Sequence, residues 1–163
     1  MEGMSTRIAL GEEIPAESLS RLMDFISGFA DRFHHRKEEE ILFPALRSQG
    51  IGEDGGALEV MHRQHEVERD LIGELRLVVE ALGNGNEAAS QLFVDDARRF
   101  TDLLTTHIEL EDSVLFRLAD EVLEEEDKKS ILEAFRRAAE ELGLAALEKY
   151  EKAASDLEQT WAL

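Results

Sequence analysis

From Pro15 to about Arg47, apolar residues recur at intervals of three and four: Leu19, Leu22, Phe25, Ile26, Phe29 and Phe33. This spacing predicts one buried face of an α-helix. Pro15, following Glu12 and Glu13, suits the first helical turn, where its missing N–H is harmless and acidic side chains are favourable. Pro44 lies far inside the pattern, lacks a donor, and is expected to kink or end the helix. The stretch "SQGIGEDGG" reads as a loop. A second helix is expected over about Ala57–Leu82, with the stripe Leu58, Met61, His65, Ile72, Leu75 and Val79, and "GNGN" at 83–86 breaks it. A third is expected over about Glu87–Val122, with Phe93, Ala97, Phe100, Leu104 and Leu115 near its core face. "EEED" at 124–127 reads as a solvated acidic turn before a fourth helical segment, roughly 127–159, interrupted at Gly143. Residues 1–14 have no long period and read as a short lead-in. Short links between long amphipathic helices predict antiparallel neighbours in an up-down bundle.

Composition agrees and narrows the possibilities. A chain of 163 residues with two prolines and few aromatics suits one all-α domain. There is no cysteine, which excludes disulfides, thiolate zinc sites and cysteine-ligated iron–sulfur clusters. No apolar run is long enough to span a membrane, and the first residues carry no signal-peptide pattern, so a cytoplasmic location is the default expectation. Eighteen basic against 37 acidic residues give a net charge of −19. A chain this acidic repels nucleic acid and anionic lipid, so neither is an expected partner.

The residues that carry chemistry sit inside these helices. "HHRKEEEILF" (His34–Phe43) matches "HIELEDSVLF" (His107–Phe116) at one constant offset, giving a shared unit H-x-x-x-E-[ED]-x-[IV]-L-F. On a helix, i and i+4 share a face, so His34 projects with Glu38 and His107 with Glu111. His107 and Glu111 run in line with Leu103, Leu104, Val114 and Leu115 and are expected to face inward. His34 and Glu38 fall at the edge of their stripe, near Ile26, Ala30 and Ile41. His65 lies one turn after Met61 on a third buried face. A lone buried carboxylate costs several kcal/mol unless it is paired, and few cationic side chains are available here. A pair of metal ions satisfies all five groups, with carboxylates bridging and imidazoles capping. His/carboxylate ligation without cysteine suits iron, manganese or zinc. The five candidate ligands are therefore His34, Glu38, His65, His107 and Glu111. His35 is expected about a quarter turn off the metal-facing side, and His62, three residues before His65, is expected to face solvent or support a ligand. Against the metal reading stands a bland one for each motif: a single H-x-x-x-E is usually a surface pair, and a single apolar-face histidine is usually a satisfied core residue.

The segments "HHRKEEEILFPAL", "MHRQHEVER" and "HIELEDSVLF", in this order and spacing, resemble the hemerythrin-like, or HHE cation-binding, family, and its bacterial branch in particular, which includes proteins linked to repair of iron centres. The resemblance covers roughly residues 14–123; 124–163 reads as a C-terminal helical extension of the same single domain. It implies an up-down four-helix bundle holding two non-haem irons, with a histidine on the first helix, H-x-x-x-E on the second, a histidine on the third and H-x-x-x-E on the fourth. Carried over, the second helix supplies His34 and Glu38, the third His65 (preceded by Gln64 where the family usually has Glu) and the fourth His107 and Glu111. The family's first helix is expected before residue 1, since "MEGMSTRIALGEEIP" resembles only its tail and no histidine precedes His34. Four options stay open for the missing ligand: His35, His62, a second chain, or none. Segment 127–159 or a second chain is left to cover the bundle, and an uncovered apolar stripe favours a homo-oligomer.

Two functions of different class follow. One is a non-haem di-iron protein that binds or senses O2 or NO, or handles iron for cofactor repair. The other is a helical structural or interaction module with a degenerate site. No nucleophile triad or phosphate loop is present, so conventional enzymology is not expected.

Overall fold

The computed structural model describes residues 1–52 and 55–161. Among these there is no strand, and the helices form an up-down bundle. The first rod runs from α2 (Ala16–Phe25) through two π-helical segments (Ile26–His35 and Glu38–Leu42) into α3 (Phe43–Ser48). The second is α4 (Ala57–Gly83). The third is α5 (Ala89–Leu110), a π turn (Glu111–Leu115) and α6 (Phe116–Val122). After it come α7 (Glu125–Leu142) and α8 (Leu144–Trp161). The loop expected over "SQGIGEDGG" falls between α3 and α4, with its positions 53 and 54 outside the described residues.

Four features differ from the sequence expectation. Residues 1–14 are not a bare lead-in: Glu2–Ala9 forms a helix, α1, which buries Met4 and Ile8 and packs on α5 and α8. It is too short to announce itself by periodicity, and tertiary packing stabilises it. "EEED" is not a free turn but a helix start: Glu124 and Asp127 form a reciprocal capping box for α7. Pro44 does not end the first rod. It falls in the first turn of α3, immediately after a π segment, where the backbone ladder is already changing register. Val114, expected inward, is 40% exposed, because the π turn it belongs to rotates it out.

The π segments have a mechanical consequence. An unbroken α-helix would carry Leu46 about seven and a half turns past Leu19, onto the opposite face, yet both side chains are buried. A π turn closes i→i+5 and holds an extra residue. The underwound stretches therefore bring Leu42, Phe43 and Leu46 back over the core and move the buried register onto His35 and Glu38.

The fourth corner of the bundle comes from the C-terminal segment. Gly143, at φ 88°, turns the chain between α7 and α8 in a conformation that only glycine adopts readily. α8 then packs on α2 and α1, with Leu157 and Trp161 against Met4, Leu22, Ile26 and Phe100, while α7 lies on the second π segment. The apolar stripe that the sequence seemed to leave open is thus covered from within the chain. Two apolar layers result. One contains Leu19, Ile26, Leu71, Leu75, Phe93 and Phe100. The other contains Leu42, Phe43, Leu58, Met61, Leu115 and Ala119. A layer of histidine and glutamate separates them in sequence along each rod.

Candidate metal centre

Each rod contributes to this polar layer at the point where its stripe would otherwise place an apolar residue. On the first rod, His35 and Glu38 are buried and His34 is half-buried. On α4, His65 and Glu68 are fully buried, one turn apart. On the third rod, His107 and Glu111 are buried. Both expected glutamates sit at the first residue of a π segment, Glu38–Leu42 and Glu111–Leu115. Local underwinding of this kind recurs at functional sites, where it re-aims a side chain at the expense of a regular ladder.

The side chains converge in two overlapping groups. In one, ring nitrogens of His35, His65 and His107 all lie within 4.8 Å of one another; in the other, the same holds for ligand atoms of His34, Glu38 and Glu111. The two carboxylates lie between the groups. Glu38 has one oxygen 4.0 Å from His34 Nε2 and the other 3.3 Å from His65 Nε2. Glu111 Oε1 is 3.4 Å from His34 Nε2 and 2.9 Å from His107 Nε2. All five residues expected from sequence are therefore brought together. His35, expected to point away, stacks on His65 instead and is 1% exposed. His62 packs edge-on against Phe43, outside both groups.

Sequence reasoning missed Glu68, and it expected His35 to point away while leaving it open as a substitute ligand. Glu68 had a legible signal: it fills the gap in the α4 stripe between His65 and Ile72, a heptad position where a charge is out of place. His35 had none, because its direction depends on the π segment that precedes it.

A surrounding shell fixes the rings. His65 Nδ1 is 2.7 Å from Glu39 Oε1, and Arg69 donates to Glu39 and to Asp31, each at 2.7 Å. His107 Nδ1 lies 3.0 Å from Gln64 Oε1. With each Nδ1–H donated outward, Nε2 of both rings is left free and aimed inward. Gln64, where the resembled family usually has Glu, thus performs an orienting task.

The electrostatics expose an imbalance. Burial, and then the neighbouring rings of His65 and His107, push His35 down to about 2, so it is a neutral donor. Burial pushes the Glu68 carboxyl up, against the pull of nearby imidazoles. Burial also opposes charge on His107, but the carboxylate of Glu111, 2.9 Å from Nε2 though outside hydrogen-bond geometry, and the field of Glu68 outweigh it and raise His107. Burial works against Glu111 as well, and its contacts with His107 and His34 overcome that and hold it low. Even so, both oxygens of Glu38, both of Glu68, both nitrogens of His35, and Nε2 of His65 and of His107 are buried with no hydrogen-bond partner. Buried polar groups are nearly always satisfied, and each failure costs roughly 1–3 kcal/mol, more for a charge. Eight such atoms in one layer, one of them the N–H nitrogen that neutral His35 keeps, describe a site shaped for something that accepts electron pairs from the others. Hard oxygen and borderline nitrogen donors without thiolate fit a divalent iron, manganese or zinc ion.

The profile of the hemerythrin HHE cation-binding domain matches residues 2–119. The chain belongs to that family. The match covers the polar layer in full and takes in α1. Among curated proteins, the chain is similar to the iron–sulfur cluster repair protein YtfE of Salmonella paratyphi B, Salmonella newport and Salmonella heidelberg, each 33% identical over 86 residues, 51% of this chain and 39% of the relative. The chain thus aligns with about two fifths of the length of these relatives. No solved structure matches it significantly. Iron-related cation binding is what the family supports. No helix among the described residues is long and apolar enough to cross a membrane.

Proposed function

We propose that this chain holds two non-haem iron ions in its polar layer and uses them to bind or sense a small diatomic molecule such as O2 or NO, or to hold and release iron for repair of iron-containing cofactors. The single observation that carries the reading is the set of eight buried polar atoms without hydrogen-bond partners, four of them on the proposed ligands Glu38, His65 and His107. His34, Glu38, His65, His107 and Glu111 are the proposed ligands, with Glu38 and Glu111 reaching towards both groups of nitrogens. Bound ferrous iron supplies an electron-rich centre with affinity for diatomics. The chain's own residues do the rest: Glu39 and Gln64 hold two rings in the tautomer that leaves Nε2 free, the flanking apolar layers exclude water, and half-exposed His34 leaves one edge open to a small molecule.

The iron-repair branch of the proposal draws on the name of the YtfE relatives, and it extends only to the aligned portion of those longer proteins. Manganese or zinc would fit the same donors. A homo-oligomer and a cytoplasmic setting belong to the same proposal. Support for self-association is narrower than the sequence suggests, since α8 covers the stripe and leaves scattered exposed residues such as Leu77 and Leu144. A single-chain mass in light scattering at all micromolar concentrations would remove it.

The test of the main reading is elemental analysis of protein loaded anaerobically with ferrous iron, followed by optical spectra under NO and under O2. Bound iron and a new absorption band with either gas are expected. Protein that retains no transition metal after loading would overturn the reading.

A further inference from the structure

The two groups of ligand atoms are far from equivalent. The inner one is formed by His35, His65 and His107, each at most 1% exposed, with Glu68, fully buried, 3.4 Å from His35 Nε2. Glu68 lies one α turn beyond His65 and shares its face, and neither of its oxygens has a hydrogen-bond partner. Among the described residues, its ionic neighbours within 4 Å are Nε2 of His35 and, at 3.9 Å, Nδ1 of His107. Nor does either nitrogen of His35 have a partner in hydrogen-bond geometry. The outer group has one nitrogen of its own, on His34, whose side chain is 37% exposed. Its carboxylates, Glu38 and Glu111, also face the inner rings.

We infer that His35 and Glu68 complete a closed inner site of three imidazoles and a carboxylate, so that this protein holds one metal ion tightly and the second, beside His34, weakly and exchangeably. The inference rests on the two-ion reading above. It follows from counting donors. The inner ion gains a third nitrogen and a carboxylate that no other group uses. The outer ion is left with one nitrogen, two shared carboxylates and solvent. More anionic donors in a water-excluded layer raise affinity, because less desolvation remains to be done on binding. The chain becomes a protein that retains one ion and yields one, a division of labour suited to delivering iron or presenting an open coordination edge.

The test is an anaerobic titration of the full-length apo protein with ferrous ion in competition with a chromophoric chelator, alongside His35→Leu, Glu68→Gln and His34→Leu. Wild type should bind in two steps with dissociation constants at least tenfold apart, and a single step with no second ion overturns the weak site. His35→Leu and Glu68→Gln should each weaken the tight step at least tenfold, as loss of a ligand exceeds the roughly 10- to 100-fold effect of outer supporting groups. His34→Leu should abolish the weak step and spare the tight one. Glu68→Gln preserves shape, so it decides the matter if His35→Leu does not fold by circular dichroism. Two equal steps in wild type, or a tight step indifferent to Glu68→Gln, overturn the inference while leaving two-ion binding intact. No iron binding by wild type overturns the parent reading instead.

Discussion

The ring of His35 lies on the ring of His65, with centroids 4.1 Å apart and planes 12° from parallel. Burial, and then this close ring, push His35 strongly downward. The contact joins the first rod to α4 at the centre of the polar layer, and it makes the acid response of the metal-free protein readable. The folded state keeps His35 neutral, whereas the unfolded chain protonates it below its ordinary value of 6.5. The unfolded state therefore binds more protons, and stability falls as pH drops through that value. His34 and His107, raised in the fold, act in the opposite sense: their contribution is present below 6.5 and fades as pH rises through their higher folded values. Metal-free wild type should lose more stability between pH 6.5 and 5 than metal-free His35→Leu, by on the order of 1 kcal/mol. Urea unfolding of both proteins at the two pH values measures it, and parallel losses would show that His35 does not titrate on unfolding.

Glu38→Ala and Glu111→Ala should each reduce bound iron and remove most of the iron-dependent gain in stability, which for wild type at a hundredfold excess over Kd is about 2.7 kcal/mol. Without iron, Glu38→Ala should be unchanged or stabilised, since neither Glu38 oxygen has a hydrogen-bond partner and its deletion relieves desolvation, whereas Glu111→Ala should be destabilised, because His107 and His34 hold that carboxylate ionised. Exposed Glu109→Ala is the control and should stay within about 0.5 kcal/mol of wild type in both forms. Melting curves with and without iron make the comparison. If the two glutamate variants keep the full iron-dependent shift, they are not ligands.

Glu39→Gln and Gln64→Leu should leave the fold intact and weaken iron binding by roughly 10- to 100-fold. Glu39 faces His65 Nδ1 and Gln64 faces His107 Nδ1, so each change frees a ring to turn or switch tautomer. Chelator competition reads the affinity. Unaltered affinity in both would mean that packing alone orients the rings.

His62→Asn should retain the full iron content, since His62 packs on Phe43 outside both ligand groups. Elemental analysis checks this, and loss of an ion would return His62 to the ligand set.

Gly3→Ala should destabilise the protein by about 1–3 kcal/mol, the usual effect of overpacking. A Cβ at residue 3 would fall 1.6 Å from the Trp161 carbonyl oxygen, so either α1 or α8 must move. Denaturant unfolding measures the loss, and a neutral result would mean that α1 does not pack on the end of α8.

Much of this protein was legible before its structure. The 3–4 periodicity determined that Leu19, Leu58, Leu75, Phe93 and Phe100 are core residues and that the chain is all-α, because burial of one helical face requires that spacing whatever the partner. The duplicated H-x-x-x-E unit brought His34, Glu38, His107 and Glu111 to one place, and His65 joined them from a third stripe. These follow from local geometry, in which four residues make about one turn. Other features were decided only by tertiary structure. His35 turns inward because π segments insert residues into the first rod, and such underwinding is stabilised by packing rather than by any local propensity. Glu68 stood in the open as a charge on a buried heptad position, but its meaning depended on which histidines faced it from other rods. α1 is a helix because α5 and α8 receive it, and α8 closes the fourth corner because Gly143 breaks the helix there and the chain continues along the first rod, from Phe135 beside Lys37 to Asp156 beside Arg21. Sequence fixes which residues of a single helix share a face; only packing of the helices decides what that face meets.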